Sequence, residues 1–143
     1  MFENNITKTA EQKNKKPRKI SKKRLTNIAL YYLQRYESSV QNLREVLQKR
    51  ILKYKMFFPD YNAKEALGWV DEIVEEFKSL GYVDDNRFAE MKINSYLSAG
   101  KPARYIKVKL IEKGVSPVII NKILEEKEFS PFDMAMKFAK KKK

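Results

Sequence analysis

The sequence predicts an all-α fold: tandem three-helix repeats in an elongated, curved arrangement, led by a disordered basic N-terminal tail. Three observations predict it. Apolar residues recur at helical spacing along most of the chain. Only 4 Gly and 5 Pro interrupt its 143 residues. The same succession of helix stop, short turn and helix start recurs between the periodic runs.

Composition narrows the function. The chain is 43% hydrophobic and 34% charged. No long apolar run predicts a membrane span, and the N-terminus has no apolar signal-peptide core. With no Cys there is no disulfide framework, so a cytoplasmic location is expected. The absence of His and Cys removes the usual zinc sites, thiol nucleophiles and His-based triads. No catalytic residue, metal site or cofactor is predicted, and the chain reads as a non-enzyme. The net charge is +13. Residues 1–24 hold nine Lys/Arg against Glu3 and Glu11, and the last seven residues hold five Lys. The excess therefore sits at the two ends, which suggests a polyanionic partner or, more blandly, solubility.

Residues 1–20 are polar, Lys-rich and aperiodic, and disorder is expected there. A first helix over residues 22–36 carries Leu25, Ile28, Ala29, Tyr32, Leu33 and Tyr36. Ser38 or Ser39 caps a second, basic helix with Val40, Leu43, Val46, Leu47 and Ile51 on its apolar face. Its cations include Arg44, Lys49 and Arg50. Pro59 bars a continuous helix through residues 52–61, whose aromatics should pack back on the bundle. Asn62 opens a third helix with Glu65 in capping-box position. Leu67, Val70, Ile73, Val74, Phe77 and Leu80 line one side of it. Asp71, Glu72, Glu75 and Glu76 lie opposite and read as a solvated face rather than a metal or catalytic site. Gly68 weakens this helix, and close packing is the expected reason.

Gly81 can then adopt the left-handed conformation that ends a helix, and Asp84 can cap the next one. Val83 and Phe88 fall at the two positions of a hydrophobic staple. Leu80, Tyr82 and Phe88 are assigned to packing, and Asp84 with Asp85 to capping rather than catalysis. A fourth helix spans residues 85–98 and stops at Gly100. A fifth, over residues 102–113, is again basic, with Arg104, Lys107 and Lys109 around Ala103, Ile106 and Leu110. Gly114 stops it. Ser116-Pro117 opens a sixth helix, with Val115 and Ile120 as a staple. Ser130-Pro131 opens a seventh in the same way, with Phe129 and Met134 as the pair and Asp133 in the first turn.

An offset of 63 lays the second helix on the fifth: Leu43 on Ile106, Arg44 on Lys107, Leu47 on Leu110. The same offset puts Leu25 on Phe88, while an offset of 47 puts Ile73 on Ile120 and Phe77 on Leu124. The difference is assigned mostly to an insertion over residues 52–62. Repeat 1 then covers residues 21–81 and repeat 2 residues 82–127. Residues 128–143 hold the first helix of an incomplete repeat 3. In each full unit the middle helix is basic and the last is acidic, and stacked units of this kind suit long partners.

These residues resemble the RecX family of bacterial RecA regulators. The resemblance rests on Ala29-Leu30-Tyr31-Tyr32-Leu33, on Ser39 with Leu43-Arg44-Glu45-Val46-Leu47, and above all on the run from Leu80 through Gly81, Tyr82, Val83, Asp84, Asp85, Asn86, Arg87 and Phe88 to Ala89. Gly100, Ile106, Leu110 and Lys113-Gly114-Val115 continue it in order. The longer link after Arg50 looks like the alphaproteobacterial form. The resemblance implies tandem three-helix repeats and a cytoplasmic monomer that binds the RecA recombinase and its filaments on DNA. It implies inhibition of recombinase and co-protease activity, hence a part in recombination, repair and the SOS response, and in some members direct binding of DNA. The chain departs from the family where its third repeat ends after one helix, and where Pro102 stands at a capping position. Arg44, Lys49, Arg50, Arg104, Lys107 and Lys109 are the candidate contacts to the RecA filament and its DNA. A different reading makes the chain a general nucleic-acid-binding helical protein that relies on its basic tails. Carboxylate catalysis on the third helix is a remote third.

Overall fold

Ser21, Ser39, Asn62 and Asp84 each cap a helix in the computed structural model, which describes residues 17–127. Six helices follow: α1 (Lys22–Arg35), α2 (Val40–Phe57), α3 (Ala63–Ser79), α4 (Asp85–Ser98), α5 (Ala103–Glu112) and α6 (Pro117–Lys127). There is no strand among the described residues. The seventh helix expected at Ser130-Pro131, its Phe129–Met134 staple, Asp133 and the tail over residues 1–16 lie outside them.

The buried apolar side chains form two cores. In the first, α3 packs against α2 and α1, burying Leu25, Leu43, Leu47, Val70, Ile73 and Phe77. In the second, α6 packs against α4 and α5, burying Phe88, Ile93, Ile106, Leu110, Ile120 and Leu124. The apolar residues matched at offsets 63 and 47 are therefore buried in corresponding places. Val83 and Phe88 depart from the staple expectation. Both are buried, but Val83 belongs to the first core and Phe88 to the second.

Order also begins before Ser21, where disorder was expected up to residue 20. Ile20 is buried in the first core with Leu25. The two occupy the staple positions around the Ser21 cap, so Ile20 is an apolar anchor that holds residues 17–20 against the bundle.

The largest difference lies in the first unit's insertion. α2 does not stop near Ile51 but runs on to Phe57, so it has 18 residues where α5 has 10. α3 likewise has 17 residues against 11 in α6. The insertion is thus a longer antiparallel helix pair rather than an irregular link. The reason is periodic: Tyr54 continues the buried stripe of Leu43, Leu47 and Ile51. The Tyr54 ring centroid lies 4.7 Å from those of both Phe58 and Tyr61, which flank Pro59 and close the end of the pair. Leu52, Met56 and Phe57 do not pack back but stay exposed.

Three other expectations change. Leu80 and Tyr82, assigned to packing, are 55% and 48% exposed, although Tyr82 keeps an edge-on contact with Phe77 at 5.3 Å. Leu67 is exposed as well. Gly68 has no close approach, since a Cβ there would meet nothing within 4 Å. Gly68→Ala should therefore stabilise the protein by about 1 kcal/mol, the helix-propensity difference, as urea unfolding would register. A loss of stability would mean that Gly68 has a role no contact explains.

Candidate partner-binding surface

The candidate surface is built around the joint between the two units. α3 ends at Gly81, φ +75, with the Tyr82 N–H donating to the Phe77 carbonyl at 2.9 Å and the Gly81 N–H to Lys78 at 3.1 Å. This paired bonding satisfies carbonyls that a helix end leaves open. Asp84 Oδ1 then accepts from the Arg87 N–H at 3.1 Å and caps its own helix, as its position predicts.

Asp85 has a different role. Its Oδ1 accepts from the Val40 N–H at 2.8 Å, so a carboxylate at the start of α4 caps α2 of the preceding unit. Beside it the Ser39 hydroxyl donates to the Lys113 carbonyl at 2.7 Å and accepts from the Asn42 N–H at 3.1 Å. Ser38 and Ser39 are fully buried. Arg87 completes the joint: its guanidinium donates to Glu37 at 2.9 Å and to the carbonyls of Gly81 at 3.0 Å and Tyr82 at 3.2 Å. The α1–α2 turn is thus held by the start of α4 and the end of α5. Sequence reasoning located only the half around residues 80–89. The serine pair reads as a local cap, and nothing in its spacing points 74 residues ahead to Lys113.

The six candidate cations do not converge. At about 3.6 residues per turn, Arg44, Lys49 and Arg50 face different sides of α2, whereas on α5 Arg104 and Lys107, three residues apart, share a face and Lys109 lies on another. Arg44 turns toward α3, where its Nε lies 3.6 Å from Asp71, near enough for attraction but too far for a hydrogen bond. Its repeat mate Lys107 lines a small groove with Asn121, Leu124 and Glu125 of α6. Lys109 pairs with Glu112 at 3.9 Å and, with Lys101, flanks the Tyr105 ring. Lys49, Arg50, Arg104 and Lys107 are exposed and form no ion pair among the described residues.

On the acidic face of α3, Asp71 meets Arg44, Glu72 meets Lys22 at 2.7 Å, and Glu75 meets Lys78 at 3.7 Å. The Glu72 carboxylate, hydrogen-bonded to Lys22, raises the pKa of that ammonium. These carboxylates pair with cations across or along helices, and no group of residues that could hold a metal ion occurs among the described residues. Nor is any described helix long and apolar enough to cross a membrane.

Comparison with known proteins follows the same division. The family model for the second three-helix domain of RecX matches residues 84–124, from the α4 cap to the last core leucine of α6. A "Regulatory protein RecX" of Myxococcus xanthus is 35% identical over 138 residues, covering 95% of this chain and 73% of that protein. A "Regulatory protein RecX" of Streptococcus uberis is 26% identical over 106 residues, covering 73% of this chain and 36% of that protein. No solved structure matches the chain.

Proposed function

We propose, since this chain belongs to the RecX family, that it is a regulator without catalytic activity of its own that binds RecA and RecA–DNA filaments. It limits their recombinase and co-protease activity. The observation that carries this reading is identity to a named RecX regulatory protein over 95% of the chain, across both helical units. Two further features support it. Both middle helices expose cations with no ion pair among the described residues: Lys49 and Arg50 on α2, Arg104 and Lys107 on α5. The joint also ties the two units through buried serines and a carboxylate, so they can present these cations together along a filament groove. In this reading Arg44 and Lys109 contribute less, because Asp71 and Glu112 already neutralise part of their charge. The protein acts in the cytoplasm as a monomer and needs no cofactor.

The test is RecA ATPase and strand exchange on single-stranded DNA with substoichiometric protein added. Inhibition is expected, and the Lys49→Glu, Arg104→Glu, Lys107→Glu triple variant should inhibit at least ten-fold less well while keeping its helical circular dichroism. These side chains are exposed, so their reversal leaves both cores intact. Wild-type protein without effect on RecA would overturn the function, and full inhibition by the triple variant would overturn the surface.

A further inference from the structure

The extra length of α2 has an inner face that folding explains and an outer face that it does not. On the inner side Ile51 and Tyr54 continue the buried row of Leu43 and Leu47, and the Tyr54, Phe58 and Tyr61 rings seal the end of the helix pair. Lys49, Leu52, Lys53 and Met56 stand at i, i+3, i+4 and i+7, so they share the face turned away from that row. All four are exposed, Leu52 at 56% and Met56 at 81%. A single exposed apolar side chain is ordinary on a surface. Here a Leu and a Met lie one turn apart, beside two lysines that also lie one turn apart. At offset 63, Leu52 and Met56 correspond to positions beyond the end of α5, so this face belongs to the insertion in the first unit.

We propose that the outer face of α2 is a docking site for an acidic amphipathic helix of a partner protein, a use beyond the RecA regulation proposed above. Its chemistry selects that partner. The lysines call for anionic groups and the Leu–Met pair for an apolar surface. A phosphate backbone would satisfy the lysines only, because neither Leu52 nor Met56 offers the flat ring on which bases stack. A second copy paired through the same patch would set lysine against lysine. A lipid surface is bound by a broad apolar stripe, and two side chains supply little of that area. An acidic amphipathic helix answers both needs. Its apolar stripe covers Leu52 and Met56, and Glu or Asp beside the stripe meets Lys49 and Lys53. The unbranched, polarizable Met56 adapts to the shape of such a stripe. Lys49 also belongs to the proposed filament surface, so the assignment turns on Leu52, Lys53 and Met56.

Fluorescence anisotropy with the full chain and no RecA tests the site. The probe is a labelled peptide of about three heptads, with Leu at a and d and Glu elsewhere. A control peptide carries Ser in place of Leu and measures what charge alone contributes, including attraction to the basic ends of the chain. The Leu peptide should bind about ten-fold or more tighter than the Ser peptide, since it alone covers Leu52 and Met56. Leu52→Ser with Met56→Ser should remove that advantage. Lys53→Glu should weaken binding of the Leu peptide and reduce its salt dependence. All three side chains are exposed, so these variants should keep the wild-type circular dichroism. Equal binding of the two peptides by the wild type would overturn the site, and so would equal binding of the Leu peptide by the wild type and the double variant. A wild-type dimer in sedimentation that the double variant dissociates would give the face to a second copy instead. Binding to phosphatidylserine vesicles that the double variant loses would give it to a lipid surface. Because RecA is absent, none of these outcomes bears on filament inhibition.

Discussion

Gly114→Ala should lower the free energy of unfolding by about 2–4 kcal/mol, more than the same change at Gly81. Both glycines end helices in the left-handed region, at φ +82 and +75. A side chain costs roughly 1–2 kcal/mol in that conformation wherever it occurs. At Gly81 nothing lies within 4 Å of the new Cβ, so the backbone cost is the whole effect. At Gly114 the Cβ would sit 2.4 Å from Gln41 Cβ and 2.8 Å from its Cγ. Gln41 belongs to the first turn of α2, and its Cβ cannot move without that turn. Overpacking of this kind costs about 1–3 kcal/mol more. Urea unfolding followed by circular dichroism would measure both variants. Equal losses at Gly81 and Gly114 would mean that α2 and the α5 end are not pressed together.

This contact shows what the sequence could not reveal. Helix existence, core stripes and most caps are local: Leu43 to Leu47, or Ser116 to Ile120, repeat within a turn or two and need no partner to be recognised. The stripe through Ile51 to Tyr54 is equally legible, and Pro59, which bars a helix through residues 52–61, falls beyond the end of α2 at Phe57. Ile20 had the signature seen at Val115, an apolar residue before a cap, but the lysines around it mark the segment as tail. The joint is different in kind. Gln41 against Gly114 and Ser39 against Lys113 join positions more than 70 residues apart, and no periodicity connects them. The candidate cations were legible as residues but not as a surface. Helical rotation spreads the α2 trio around its axis and sets Lys109 apart from Arg104 and Lys107 on α5, and whether a cation is free depends on carboxylates of another helix, as with Arg44 and Asp71.

Asp85→Ala should cost about 2 kcal/mol, against about 1 kcal/mol for Asp84→Ala, although both residues are helix-capping aspartates. Asp84 caps its own helix at an exposed end, where water can take over the freed N–H and the loss is that of an ordinary cap. Asp85 accepts the Val40 N–H beside two fully buried serines. Hydrogen bonds to a charged group are worth roughly 1.5–3 kcal/mol, and a donor left unsatisfied away from water adds its desolvation cost. Asp85→Asn keeps an acceptor oxygen and should recover about half of the loss, which separates the hydrogen bond from the charge. The two aspartates should also differ in function. Under the proposed function, at a temperature where every variant is folded, Asp84→Ala should match the wild type in the RecA inhibition assay, because it loosens only the start of α4. Asp85→Ala should inhibit less well, because among the described residues Ser39 and Arg87 then make the remaining side-chain hydrogen bonds that hold the first unit to the second. A double-mutant cycle with Ser39→Ala would isolate the coupling. Additive losses would show that Asp85 and Ser39 stabilise separately. A coupling of about 0.5 kcal/mol or more would mark the joint as one cooperative contact, set by a carboxylate that caps the unit before its own.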